Sequence, residues 1–208
     1  MPDSNDKIAT AIDKLTSQLP LLARQQALPP ELVAVHQAIL RTLAEEGRAL
    51  TNDEVALLVG ADGVAAAIER LGSDDLVVLN PDKTAVVGAY PMTVEETVHH
   101  LRVNGRVVNA ICALDAVAVG PMYDAEVAIE SRCHVSGEPI RVHQKGHRIL
   151  SVEPSADVRV GIRWQQPGAC AAHSMCLEMV FLKDGDTARR WGEEGEGDKT
   201  EFTLDEEE

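Results

Sequence analysis

The sequence predicts an α+β protein. An N-terminal winged-helix-like helical domain is expected over residues 1–90. A mixed or antiparallel sheet domain with flanking helices and an acidic C-terminal tail is expected over 91–208. Three observations carry this. Apolar residues recur at helical spacing through the first third of the chain. Beyond it, short β-rich runs alternate with Pro, Gly and Asn turn signals. All four cysteines, Cys112, Cys133, Cys170 and Cys176, lie in the second half, so the chemistry is expected there. With 208 residues and 45% apolar content, the chain can bury one large or two small cores.

Ile8, Ile12, Leu15 and Leu19 mark a first helix, interrupted by Pro20. Pro29-Pro30 opens a second, with Leu32, Val35, Ile39, Leu40 and Leu43 on one face and Gly47 as its stop. Thr51-Asn-Asp-Glu54 is a capping-box pattern that starts a short helix ending near Gly60. Asp62 to Leu71 gives another helix, and strands follow at Leu76 to Leu79 and Thr84 to Val87 around the turn Asn80-Pro-Asp-Lys83. Helix, short helix, helix and hairpin is the order of a winged helix-turn-helix.

From Pro91 the pattern changes. A hairpin, Thr93 to Val103 and Arg106 to Val108, is expected around Asn104-Gly105. A helix over Val108 to Val119 should stop before Gly120-Pro121, with strands at Ala125 to His134, Ile140 to His143, Val158 to Trp164 and Ser174 to Leu182. Thr187 to Trp191 reads as helix. The tail from Gly192 adds at most one edge strand around Phe202 and Leu204, with disorder expected in its last residues.

The net charge of -15 repels phosphate backbones and counts against nucleic-acid binding. The candidate recognition helix, Gly63-Val-Ala-Ala-Ala-Ile-Glu-Arg70, has one Arg and lacks the amide and basic groups that read base edges. The helical module is therefore read as a packing unit. No apolar run reaches the roughly 20 residues of a membrane span, and the N-terminus lacks the pattern of a secretory signal. A cytoplasmic location follows as the expectation, with the cysteines as thiols.

In Asn109-Ala-Ile-Cys-Ala-Leu-Asp115, a helix would put the Cys112 thiol and the Asp115 carboxylate on one face. A soft sulfur ligand beside a proton donor or acceptor suits soft-metal chemistry or nucleophilic catalysis. Ile111, Leu114 and Met175 are candidate apolar neighbours that would raise the carboxyl pKa.

Through Cys112-Ala-Leu-Asp115, Ala125-Glu-Val127, Cys133-His-Val-Ser-Gly-Glu-Pro139, Val152-Glu-Pro154, Cys176, Phe181 and Thr187-Ala188-x-x-Trp191, the second half resembles the organomercurial (alkylmercury) lyases. The resemblance implies an enzyme that protonates the carbon–mercury bond of R-Hg⁺ to give R-H and Hg²⁺. Cys112 and Cys176 would be the mercury-binding thiols and Asp115 the proton carrier, itself close to the metal. Mercury would be substrate and product, with no resident cofactor. Cytosolic thiols or a mercuric reductase would accept the ion, and the chain would be a monomer or a homodimer. Cys133 would be structural, with His134 at the surface. Ile111 stands where the family commonly has an aromatic, and Met175, Leu177, Glu178 and Met179 depart from its aromatic and His residues around the second thiol.

Cys170 is a rival second thiol, and Cys170-x-x-His173-x-x-Cys176 has zinc-like spacing with no convincing fourth ligand. His99-His100 would face opposite sides of a strand. Two other functions remain open: a soft-metal-responsive winged-helix regulator, and a family member that binds metal without cleaving.

Overall fold

The computed structural model describes residues 4–204. The first half is helical: α1 (Ser4–Gln18), α2 (Leu21–Gln26), α3 (Pro30–Glu46), α4 (Asn52–Val59) and α5 (Val64–Ser73). Pro30 stands in the first turn of α3, where its missing N–H costs nothing. Gly47 ends α3 at φ +69°, and a Cβ there would lie 2.3 Å from the Val107 carbonyl oxygen. Only glycine allows both this left-handed stop and so close an approach to the sheet. Thr51 and Glu54 form the expected capping box at α4. Helix α2 is not among the expected elements, being too short to show periodicity.

The strands are β1 (Val78–Leu79), β2 (Val86–Ala89), β3 (Met92–Thr93), β4 (His100–Val103) and β5 (Arg106–Ala110). Helix α6 (Ala113–Tyr123) follows, and then β6 (Glu126–Arg132), β7 (Pro139–Lys145), β8 (Arg148–Glu153) and β9 (Arg159–Arg163). Last come β10 (Met179–Leu182), α7 (Gly185–Glu193) and β11 (Lys199–Thr203). An eight-stranded sheet runs β1-β2-β3-β5-β4-β6-β7-β8, and a three-stranded one runs β10-β9-β11. Every pairing is antiparallel. Strand β8 is likewise not among the expected elements; its mostly exposed side chains do not alternate. Among the described residues, no helix is long and apolar enough to cross a membrane.

Several expectations change. The run Thr93 to Val103 is not one strand: β3 and β4 flank an irregular segment over 94–99. The Asn104-Gly105 turn is as expected, with both residues at positive φ. Val108 is not the start of a helix; it belongs to β5, which pairs with β3 and β4, and α6 begins only at Ala113.

Helix α6 does not stop before Gly120-Pro121 but runs through it. Pro121 has no N–H to give the Val117 carbonyl. The buried Gln144 of β7 supplies the donor instead, its Nε2 lying 2.8 Å from that oxygen. Gly120 leaves the room, since a Cβ there would fall 2.1 Å from the same Nε2.

Ser174 to Leu182 is not a single strand. Two 3₁₀ turns, Ala171–His173 and Met175–Glu178, precede β10. The tail does supply an edge strand, β11, while the last residues lie outside those described.

Candidate active site

Cys112 closes the extended stretch after β5 and is the N-cap of α6, with φ -147°. Its sulfur accepts the Asp115 backbone N–H at 3.3 Å, and its thiol donates to Asp115 Oδ2 at 3.1 Å. The expected proximity is present but its origin differs. The two residues meet as an N-cap and the third residue of the first helical turn, not as neighbours on a helix face. A sulfur at this place lies in the positive field of the first turn, which favours thiolate once a metal displaces the proton.

Cys176 comes from the second 3₁₀ turn, not from a strand. The ligand atoms of Cys112, Asp115 and Cys176 all lie within 4.8 Å of one another, and among the described residues this is the one such group. Met179, at the start of β10, puts its Sδ 3.6 Å from the Cys112 sulfur. Met175 is fully buried, Ile111 is buried and Leu114 partly so. Met179 carries no signal in the sequence beyond its place three residues after Cys176.

Burial governs the protonation states. It pushes the Cys112 thiol well above its ordinary value, with the nearby Cys176 and Asp115 adding to the rise. It also raises the half-buried Asp115 carboxyl to about 7, against a smaller lowering by the Cys112 thiol. A carboxyl that titrates near neutrality can both take and give a proton.

The rival Cys170 is not in the group. It is half-buried beside Asp75, and burial with that carboxylate pushes its thiol up. The zinc-like spacing does not make a site: the first 3₁₀ turn sends His173 Nε2 to Glu95, 3.0 Å away, and only Cys176 joins the metal-competent cluster. Cys133 is buried elsewhere. Burial would raise its thiol, but Ser136 and the backbone N–H groups of Ser136, Lys183 and Val135 bring it below the ordinary value. His134 is exposed. His99 and His100 do not share a strand as expected: His99 ends the irregular segment, buried against Phe181 and bonded to Ser131, and burial lowers it to about 4, while His100 opens β4 and is exposed.

A cavity of about 490 Å³ has Ile111 and Leu177, the chain neighbours of Cys112 and Cys176, in its lining, but none of Cys112, Asp115 and Cys176 themselves. A groove of about 1150 Å³ lies beyond, and His173 and Glu95 border both.

Residues 92–208 match the family model described as alkylmercury lyase. The chain is 30% identical over 155 residues to an alkylmercury lyase of Bacillus cereus, covering 74% of this chain and 68% of the relative. It is 26% identical over 162 residues to that of Streptomyces lividans, covering 74% and 70%. A crystal structure described as the mercury-bound form of MerB2 shares the fold, with a TM-score of 0.73 over 92% of this chain and 94% of that one at 22% identity. The chain belongs to the alkylmercury lyase family.

Proposed function

We propose that the protein is an organomercurial lyase in which Cys112, Cys176 and Asp115 protonate the carbon–mercury bond. The observation that carries this is the meeting of two sulfurs and a carboxyl oxygen within 4.8 Å. Thiolates are the softest ligands a protein offers, and mercury is a soft metal.

The Cys112 thiol binds R-Hg⁺ and passes its proton to the Asp115 carboxylate. Cys176 joins as the second thiolate, releasing its proton to solvent. Electron density from two sulfurs makes the carbon basic, and the Asp115 carboxyl returns its proton to that carbon. The balance is R-Hg⁺ and two thiols giving R-H, a mercury held by two thiolates, and one proton. Ile111, Ala172 and Leu177 give part of the smaller cavity an apolar wall that suits the organic group, beside polar residues such as Glu95 and His173. Mercury is cargo here, so no cofactor is invoked. Cytosolic thiols or a mercuric reductase take the ion in the cytoplasm, by a monomer or a homodimer. The helical half is read as a winged-helix packing module. Its helix α5 keeps only Arg70 as a base against Glu69, which speaks against a DNA-binding regulator.

Incubation with methylmercury or phenylmercury and excess thiol should release methane or benzene. Cys112→Ala should abolish the release, and Cys176→Ala should lower it by about 10² or more, the scale of losing one activating group. Full activity in Cys112→Ala would sink the proposal. Stoichiometric Hg²⁺ binding by the wild type without hydrocarbon would identify a non-cleaving member.

A further inference from the structure

Asp75 is a buried carboxylate in the helical half. It stands just past the C-terminus of α5, where the Leu76 N–H bonds the Leu71 carbonyl and the Asp75 N–H bonds the Gly72 carbonyl. This is a Schellman motif, and its left-handed position normally takes glycine. Asp75 holds that position at φ +52°, a conformation unfavourable for a side chain. Its carboxylate is engaged from several directions. Oδ1 accepts the Tyr90 hydroxyl at 3.0 Å, Oδ2 accepts the Ala171 N–H at 3.1 Å, and Arg24 Nη1 lies 3.7 Å from Oδ2. The Tyr90 oxygen in turn accepts the Ala172 N–H at 2.9 Å.

Two consecutive N–H groups of the first 3₁₀ turn are therefore held by residues 82 and 96 positions away in the chain. Four residues after Ala172 comes Cys176. The segment has little regular structure of its own, so these bonds fix where it lies. Burial and the nearby Asp75 carboxylate push the Tyr90 phenol up, so it stays protonated and keeps donating.

We propose that Asp75 and Tyr90 are positioning residues for the second thiol: through Ala171 and Ala172 they hold the turn that carries Cys176 against Cys112. The inference rests on Cys176 being the second mercury-binding thiol. Cys112 captures R-Hg⁺ by itself, whereas cleavage needs both sulfurs. Loosening the turn should therefore act on kcat more than on KM, and misplacement by about an ångström costs up to about 100-fold.

The test compares Tyr90→Phe and Asp75→Asn with wild type, Cys176→Ala and a stability control in the far sheet, Ile140→Val. Asn tolerates the left-handed backbone and keeps one acceptor oxygen, so Asp75→Asn remains informative if Tyr90→Phe fails to fold. Phenylmercury turnover should fall about 10- to 100-fold in kcat for Tyr90→Phe, with KM within about threefold, and less steeply for Asp75→Asn. X-ray absorption of protein loaded with one equivalent of Hg²⁺ should show two sulfur ligands in wild type and Ile140→Val. One should give way to a lighter atom in Tyr90→Phe, an effect that mere destabilisation does not produce. Wild-type kcat and two-sulfur coordination in both variants, with Cys176→Ala impaired, would overturn the positioning role alone. Full activity in Cys176→Ala would overturn the underlying reading instead.

Discussion

At the scale of the residue, Asp115 is the pivot. Its carboxyl is raised to about 7 by burial, so it favours the folded state while protonated. That contribution is full below the ordinary carboxylate pKa near 4 and is lost as pH rises through about 7. The proposed mechanism points the other way, because in it capture of R-Hg⁺ needs the carboxylate to take the Cys112 proton. In wild type, kcat/KM should therefore rise with pH through an apparent pKa near 7, read by hydrocarbon release under limiting substrate. Asp115→Asn should cut kcat/KM by about 10²–10⁴ and lose that limb. The same variant should melt higher than wild type at pH 8, where it removes a buried charge, and the difference should shrink at pH 5. A pH-independent difference in melting temperature would contradict the assigned protonation. The pairing of Cys112 with Asp115 was legible in the sequence because it is local. Its geometry was not, because the apolar run from Val107 to Val119 carries no period that separates strand from helix. The strand pairing of β5 with β3 and β4, a non-local fact, decides that Cys112 caps the helix and does not lie within it.

At the scale of the element, α6 depends on another strand to continue through Pro121. The Val117 carbonyl, orphaned by the proline, is satisfied by Gln144 Nε2. Gln144→Met keeps the volume but leaves a buried acceptor unpaired, which should destabilise the protein by about 1–3 kcal/mol. In a Pro121→Ala background the helix can supply its own N–H, and the same substitution should cost less. Urea unfolding of the four proteins forms a double-mutant cycle. A coupling energy near zero would mean that Gln144 does not serve this carbonyl. Elements whose signals lie within a few residues were legible: the Thr51–Glu54 capping box, the Pro30 start and Gly47 stop of α3, and the Asn104-Gly105 turn. Gln144 reads in the sequence only as an interruption of an apolar alternation. Its reason lies 27 residues away at Val117. The turn carrying Cys176 reads as strand in the sequence for a similar cause, since its anchors, Asp75 and Tyr90, come from the other half of the chain.

At the scale of the molecule, the sequence pattern changes near residue 91 but the packing does not break there. β2, before that point, pairs with β3, after it, and one large apolar core extends from Ala11 to Leu204, with a small second cluster of Val180, Leu182, Ala188 and Trp191. Helix α1 reaches over the small sheet, where Lys7 lies 5.0 Å from the Phe202 ring and Lys14 5.1 Å from the Trp164 ring. The clamp from Asp75 and Tyr90 to Ala171 and Ala172 is a further tie. Burial shared in this way makes the free energy of each half conditional on the other, so the chain should unfold as one cooperative unit. The two halves carry separate probes. Most of the helical signal comes from α1 to α5, while both tryptophans, Trp164 and Trp191, lie in the second half and are buried. Urea titrations followed by far-ultraviolet circular dichroism and by tryptophan fluorescence should therefore coincide in midpoint and slope. Saturation with Hg²⁺ should move both curves together to higher urea, since a ligand that binds only the folded state stabilises everything coupled to it. If fluorescence shifts with mercury while the helical signal stays where it was, the halves are independent, and the helical half does not help to hold the site.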